Sequence, residues 1–178
     1  MKSILLVLTF ILEAFTLAAQ EVDTTELKVD SVIYMKYTGY GRIFIEDTDP
    51  KIKEVPANYD VNSSAYNIHY SDKNLLLQLI KKWFTPYFQK NGVLTDVPFG
   101  LNDIVSNLHS DTEGNIIGVD FKFSDKYDIP IRLLHQFSLD LQKSKFKLIY
   151  DKNLNKYKNA NRIERVYAIG CSDIRDLQ

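Results

Sequence analysis

Proton transfer, nucleophilic attack and metal binding would fall in this chain to three histidines, one cysteine and scattered carboxylates. His69, His109 and His135 lie far apart in sequence, and no pair has the i, i+4 spacing of a metal-binding helix. Cys171 is the single cysteine, so neither an intramolecular disulfide nor a structural zinc site can form from cysteines, and a buried thiol is its ordinary role. The chain contains no G-x-S-x-G elbow, no phosphate-binding glycine loop and no H-E-x-x-H. Asp111, Glu113 and Asp120 are the acids nearest its centre, and the first two read as turn residues. A small hydrolase with a dispersed carboxylate pair is therefore the weakest reading. The residue types point away from an enzyme and imply no cofactor and no metal.

Binding chemistry has two better candidates. Tyr34, Tyr37 and Tyr40 crowd one short stretch. Together they can form a stacking platform for a glycan or another small ligand; the competing reading is cross-strand packing with hydroxyls at the rim. Further on, the stretch from Leu141 to Arg165 is strongly basic and includes Lys145, Lys147, Lys156 and Lys158. That run reads as a contact face for an acidic protein or anionic glycan, or as an edge strand guarded by lysines. The whole chain has a formal net charge of -1, which argues against nucleic acid as a partner.

These groups must be positioned by regular elements. The segment 103–150 has the clearest order: strand, tight turn, strand, short loop, helix, strand. Ile104, Ser106 and Leu108 alternate with Asn107 and His109. Asp111-Thr112-Glu113-Gly114-Asn115 has the polarity and the glycine of a hairpin turn. Ile117, Val119, Phe121 and Phe123 then share one strand face. Pro130 opens a helix over 130–142, with Asp128 available to cap it and Leu134, Phe137 and Leu141 as its apolar stripe. Residues 146–150 alternate as a third strand.

Before this unit, a second helix is expected over 72–88. Its stripe is Leu76, Leu79, Ile80, Trp83, Phe84, Tyr87 and Phe88, and Pro86 should kink it or end it near Thr85. Residues 29–46 read as a hairpin turning at Gly39-Tyr40-Gly41, preceded by a polar lead-in over 20–27. Asp47-Thr48-Asp49-Pro50 reads as a turn, 51–64 as a loop, 66–70 as a short strand and 163–169 as a final strand.

The chain has 178 residues, enough for one domain and a leader. Lys2, the apolar run from Ile4 to Leu12 and the small residues at Ala18-Ala19 have the layout of a secretory signal peptide over 1–19. That predicts a periplasmic or secreted product of a Gram-negative bacterium, with no membrane span after cleavage. One domain over 20–178 would then carry the hairpin and a main unit over 66–170.

Two resemblances accompany this reading. From Asp72 onward the order of elements resembles the C-terminal domain of TonB and similar envelope proteins. Asp111 to Ile117, the helix over Ile131–Gln142 and Phe146-Lys147-Leu148 carry that likeness, while the Trp-x-Pro element and the proline-rich linker of that family are absent. The leader and the Asn-, Lys- and Tyr-rich composition resemble small uncharacterised exported proteins of Bacteroides-type bacteria, which imply no particular activity.

The expectation is an α+β fold: a mostly antiparallel sheet packed against two helices as a two-layer sandwich. A strongly curved cystatin-like or nuclear-transport-factor-like sheet is the rival, and would supply a concave pocket. The expected function is an exported, non-catalytic envelope protein that binds a protein or peptide, through an exposed sheet edge. A glycan- or small-ligand-binding module is the alternative.

Overall fold

The computed structural model describes residues 22–53, 68–91, 104–151 and 161–169. The fold is α+β. Strands β1 (Asp23–Val29), β2 (Val32–Gly39) and β3 (Arg42–Asp47) run as a meander into a single helical turn, α1 (Pro50–Lys53). Then come β4 (Ile68–Tyr70), the long helix α2 (Lys73–Asn91), β5 (Ile104–Ser110), β6 (Ile116–Ser124), helix α3 (Ile131–Lys143), β7 (Leu148–Tyr150) and β8 (Ile163–Ile169). Six strands form one antiparallel sheet in the order β1-β2-β3-β6-β5-β8, and β4 pairs with β7 in a separate two-stranded sheet.

Period-two alternation decides which face of the large sheet meets the helices. Ile43 and Ile45, Phe121 and Phe123, Ile104 and Leu108, and Ile163 and Ile169 are buried on one face. Leu76, Ile80, Phe84 and Phe88 from α2, and Leu134, Phe137 and Leu141 from α3, close over them. Phe137 sits at the junction, edge-on to Phe84 at 5.3 Å and to Phe121 at 6.0 Å. Outside this core the two helices are clasped once more: the Trp83 indole donates to Asp140 Oδ2 at 2.9 Å, and Lys82 Nζ meets the same oxygen at 2.6 Å.

The structure departs from the sequence expectations in several places. The lead-in over 20–27 contains most of β1, a full strand of the sheet. It escapes pattern reading because, as an edge strand, it is exposed at Asp23 to Glu26 and carries little apolar alternation. The expected hairpin over 29–46 is thus part of a three-stranded meander.

Helix α2 does not stop at Thr85; it continues through Pro86 to Asn91. Burial of Phe88, edge-on to Tyr127 at 5.7 Å, accompanies that extra turn and offsets the lost backbone hydrogen bond. Helix α3 starts one residue late, with Pro130 itself as the N-cap and no capping side chain, so Asp128 does not cap it. Residues 50–53 are helical, because Asp49 Oδ1 accepts the Lys51 N–H at 2.9 Å and Asp49 O accepts from Ile52 and Lys53.

The third strand of the central unit is shorter than expected and does not join β5 and β6. It pairs with β4, docked on the β5–β6 turn by the Leu148 N–H to Gly114 O at 2.9 Å. The final strand falls at 163–169 as expected. Among the described residues no helix is long and apolar enough to cross a membrane. The leader, Cys171, Lys156 and Lys158 lie outside the described residues.

Candidate functional site

One cavity of about 180 Å³ opens on the helix-facing side of the sheet at its β1 end. Three successive strands supply one wall: Leu27 from β1, Lys36 from β2, Ile43 and Ile45 from β3. Phe123 of β6 closes the far side, and the loop entering α3 supplies Tyr127, Asp128, Ile129, Pro130 and Ile131. The loop takes this course because Pro130 is extended, at ψ 131°, which delays the helix by a residue.

The charged residues in that lining are the informative ones. Lys36 lies in phase with Tyr34 on β2, so a lysine occupies a helix-facing position where an apolar residue would be usual. Asp128 lines the opposite side. A bowl of mixed lining, in which polar groups converge among apolar side chains, can hold a small ligand or a peptide side chain.

The outer face of the sheet holds a buried ionic network instead of a cavity. In the β5–β8 register His109 stands directly opposite Glu164, and in the β5–β6 register Asp120 stands two pairs along from it, on the same face. His109 Nε2 lies 2.7 Å from Asp120 Oδ2, and Nδ1 lies 3.2 Å from Glu164 Oε1, at ion-pair distance but off a hydrogen-bond line. Arg162 Nη2 meets the same Glu164 oxygen at 2.7 Å, and its Nη1 donates to the Ile52 carbonyl. Asp120 Oδ1 accepts the Asp47 N–H at 2.8 Å. The chain of contacts therefore holds both ends of the 47–52 segment and pins α1 to the sheet.

Ile52, fully buried, fills the space left by the missing side chain of Gly118. A Cβ at Gly118 would lie 2.1 Å from Ile52 Cδ1. Gly118→Ala should therefore cost about 1–3 kcal/mol in chemical denaturation, and in a double-mutant cycle with Ile52→Ala the two losses should be less than additive, because the second change removes the clash. Full additivity would mean that Ile52 is not the obstacle.

Burial would pull the His109 imidazolium down, but the close contact with Asp120 and the charges of Asp120 and Glu164 outweigh it and its pKa is raised. Burial acts on Glu164 in the opposite direction and is likewise outweighed, by His109, Asn107 and Arg162, leaving its carboxyl lowered. Asp47 is raised by burial first and by the neighbouring Asp120 charge. His109 is only 2% exposed, and its contacts tie β5, β6 and β8 together.

The structure separates the three tyrosines of the sequence reading. Tyr34 is buried on the helix face, its hydroxyl 2.8 Å from His135 Nδ1. Burial, and then the charges of Asp47 and Asp120, push its phenol up, so it stays protonated. His135 Nε2 in turn faces Asp30 Oδ2 at 3.3 Å. Tyr37 is displaced by three positions along β2 and so points to the outer face, in register with Phe44. Tyr40 is 71% exposed at the tip of the turn. The rings do not form one platform.

Lys145 and Lys147 are both exposed, at the entry to β7 rather than within it. None of the three histidines pairs with another, and the described residues contain no cluster of three or more His, Cys, Asp or Glu side chains able to hold a metal ion.

The His109–Glu164 pair and the cavity both escaped sequence reading. Each depends on strand neighbours far apart in the chain. The one local signal was Lys36 in phase with Tyr34.

No protein-family model and no curated protein matches the chain. Among solved structures it is similar to a DUF5043 family protein from Bacteroides uniformis ATCC 8492, with a TM-score of 0.57 at 15% sequence identity. The match covers 83% of this chain and 90% of that one. At that identity the likeness is one of fold.

Proposed function

We propose that the protein is an exported, non-catalytic binding module that takes the apolar end of a peptide into the cavity beneath β1, β2 and β3. The supporting observation is the lining. Leu27, Ile43, Ile45, Phe123, Ile129 and Ile131 offer apolar contact, and Lys36 offers a single cation to a carboxylate. Binding of that kind rests on burial of one apolar side chain together with one charge-assisted contact. The leader is the support for export.

Calorimetric titration with short peptides tests this reading. A peptide with an apolar C-terminal residue and a free carboxylate should bind. Lys36→Ala should weaken it by about 1.5–3 kcal/mol, and amidating the peptide should cost a similar amount. Because both changes remove the same contact, combining them should add little. Ile131→Trp, at a partly buried lining position, fills the cavity and should abolish binding while the protein stays folded. Additive losses from Lys36→Ala and amidation would show that Lys36 does not meet the carboxylate, and undiminished binding by Ile131→Trp would place the ligand elsewhere.

A further inference from the structure

The two edges of the large sheet differ. Along β8, the Tyr70 hydroxyl reaches the Val166 carbonyl at 3.4 Å and Arg165 stacks over the Tyr70 ring, so part of that edge is occupied. Along β1 the residues from Asp23 to Glu26 and Lys28 are exposed, with no proline and no bulge to discourage pairing.

The ladder shows which groups β1 presents. Val29 and Val32 flank a two-residue turn, so they form a hydrogen-bonded pair, and Leu27 with Tyr34 and Thr25 with Lys36 follow at every second position. The Ile33 carbonyl accepts from Thr48 on the β3 side, as this phase requires. Thr24, Glu26 and Lys28 therefore direct their N–H and C=O groups away from β2, toward an edge that no other described strand covers.

We infer that β1 pairs antiparallel with β1 of a second copy, joining two sheets into one across a twofold axis at Leu27. A twofold axis normal to the sheet keeps the helices of both copies on one side and sets each residue opposite a partner at constant sum of numbers. Centred on Glu26, the pairing would set two like carboxylates face to face. Centred on Leu27, it sets Glu26 opposite Lys28 twice, and both belong to the outward hydrogen-bonding set. Thr25 then meets Val29, and Leu27 meets Leu27 as a close non-hydrogen-bonded pair on the helix face. Leu27 also lines the cavity, so the second Leu27 would wall the cavity's β1 side.

Sedimentation velocity of the purified protein over a concentration series tests the pairing. The wild-type protein should sediment as a dimer. Lys28→Glu confronts carboxylates at both pairs and should raise the dimer dissociation constant at least about tenfold. Adding Glu26→Lys to Lys28→Glu restores opposite charges in the same register and should restore the dimer. Both side chains are exposed, and circular dichroism checks that each variant is folded. A wild-type protein that stays monomeric at its highest soluble concentration overturns the inference, as does a charge-swapped double variant that fails to dimerise. The readout is mass rather than ligand binding, so the dimer can fail while the cavity still binds peptide, and the reverse.

Discussion

Replacing His109 with leucine should destabilise the protein by about 3–5 kcal/mol in urea denaturation. The loss comes less from the missing imidazole than from what it leaves. Asp120 and Glu164 contact His109 from the two flanking strands, and both become half-buried acceptors that have lost a cation. Arg162 still neutralises Glu164, but Asp120 keeps only the Asp47 N–H among these contacts. Adding Asp120→Asn to His109→Leu should recover much of the stability, because it neutralises the carboxylate that lost its cation, while Glu164 keeps its Arg162 partner. A loss of less than about 1 kcal/mol from His109→Leu would mean that the network is solvated and that the pin on α1 is weak.

The same network sets a pH signature. The folded pKa of His109 is raised above its usual 6.5, so the folded state holds its proton more tightly than the unfolded chain. Its contribution to stability is complete below about pH 6.5 and is lost as the pH rises through the folded value. Glu164, with a lowered pKa, behaves oppositely: its contribution is present above its usual 4.5 and is lost as the pH falls through the folded value. Asp47 is raised, so the folded state resists its ionisation, and stability declines as the pH climbs from 3.8 through its folded pKa. Thermal melting across this range should show an alkaline-side decline in the wild-type protein that His109→Leu removes. An unchanged alkaline slope in the variant would assign that decline to another group.

The distribution of what could be read from sequence follows from the range of the interactions. Helix α3, the β5–β6 hairpin and β8 were legible because their evidence is local: a stripe at 134, 137 and 141, a polar turn with Gly114, alternation from Ile163 to Ile169. Strand β1 was not legible, because an edge strand buries little and Asp23-Thr24-Thr25-Glu26 resembles a frayed terminus. Pro86 does not end its helix, because the burial of Phe88 beyond it is a tertiary contact that the local cost of proline does not include.

Neither candidate site could be assembled from spacing alone. His109 and Glu164 are 55 positions apart and become neighbours only through the β5–β8 register. Leu27 and Ile131, at the extremes of the cavity lining, meet only after the meander joins β6 and α3 is laid across it. Tyr34 and Tyr37 show the converse. Their closeness in sequence suggested a shared surface, but three residues along a strand is an odd step, and an odd step sends them to opposite faces.

Gly114→Ala should cost about 2–5 kcal/mol, combining backbone strain with overpacking. Gly114 has a φ of +80°, and a Cβ there would lie 2.0 Å from the Leu148 carbonyl oxygen and 3.1 Å from its carbon. These are backbone atoms, so no rotamer change can relieve the contact. The turn is also held rigidly from within. Asp111 Oδ1 accepts the N–H groups of Glu113 and Asn115 at 2.8 and 2.9 Å, and Asp111 Oδ2 accepts from the Asn115 side chain at 2.9 Å. From the other side, the Tyr150 hydroxyl donates to Thr112 O at 2.6 Å. With both partners fixed, the added methyl must push β7 off the turn and disturb its pairing with β4.

Gly41→Ala is the comparison that isolates this effect. Gly41 has a φ of +70° but nothing within 4 Å of the would-be Cβ, so the same substitution there carries the strain without the clash, about 1–2 kcal/mol. The difference between the two variants measures how firmly β7 is docked. If it is large, and the amides of Leu148 to Tyr150 lose hydrogen-exchange protection in Gly114→Ala alone, the small second sheet depends on the β5–β6 turn. Equal losses at both glycines would mean that β7 yields without penalty, and that the two-stranded sheet is held by Ile68, Phe146 and Leu148 in the core rather than by its contact with Gly114.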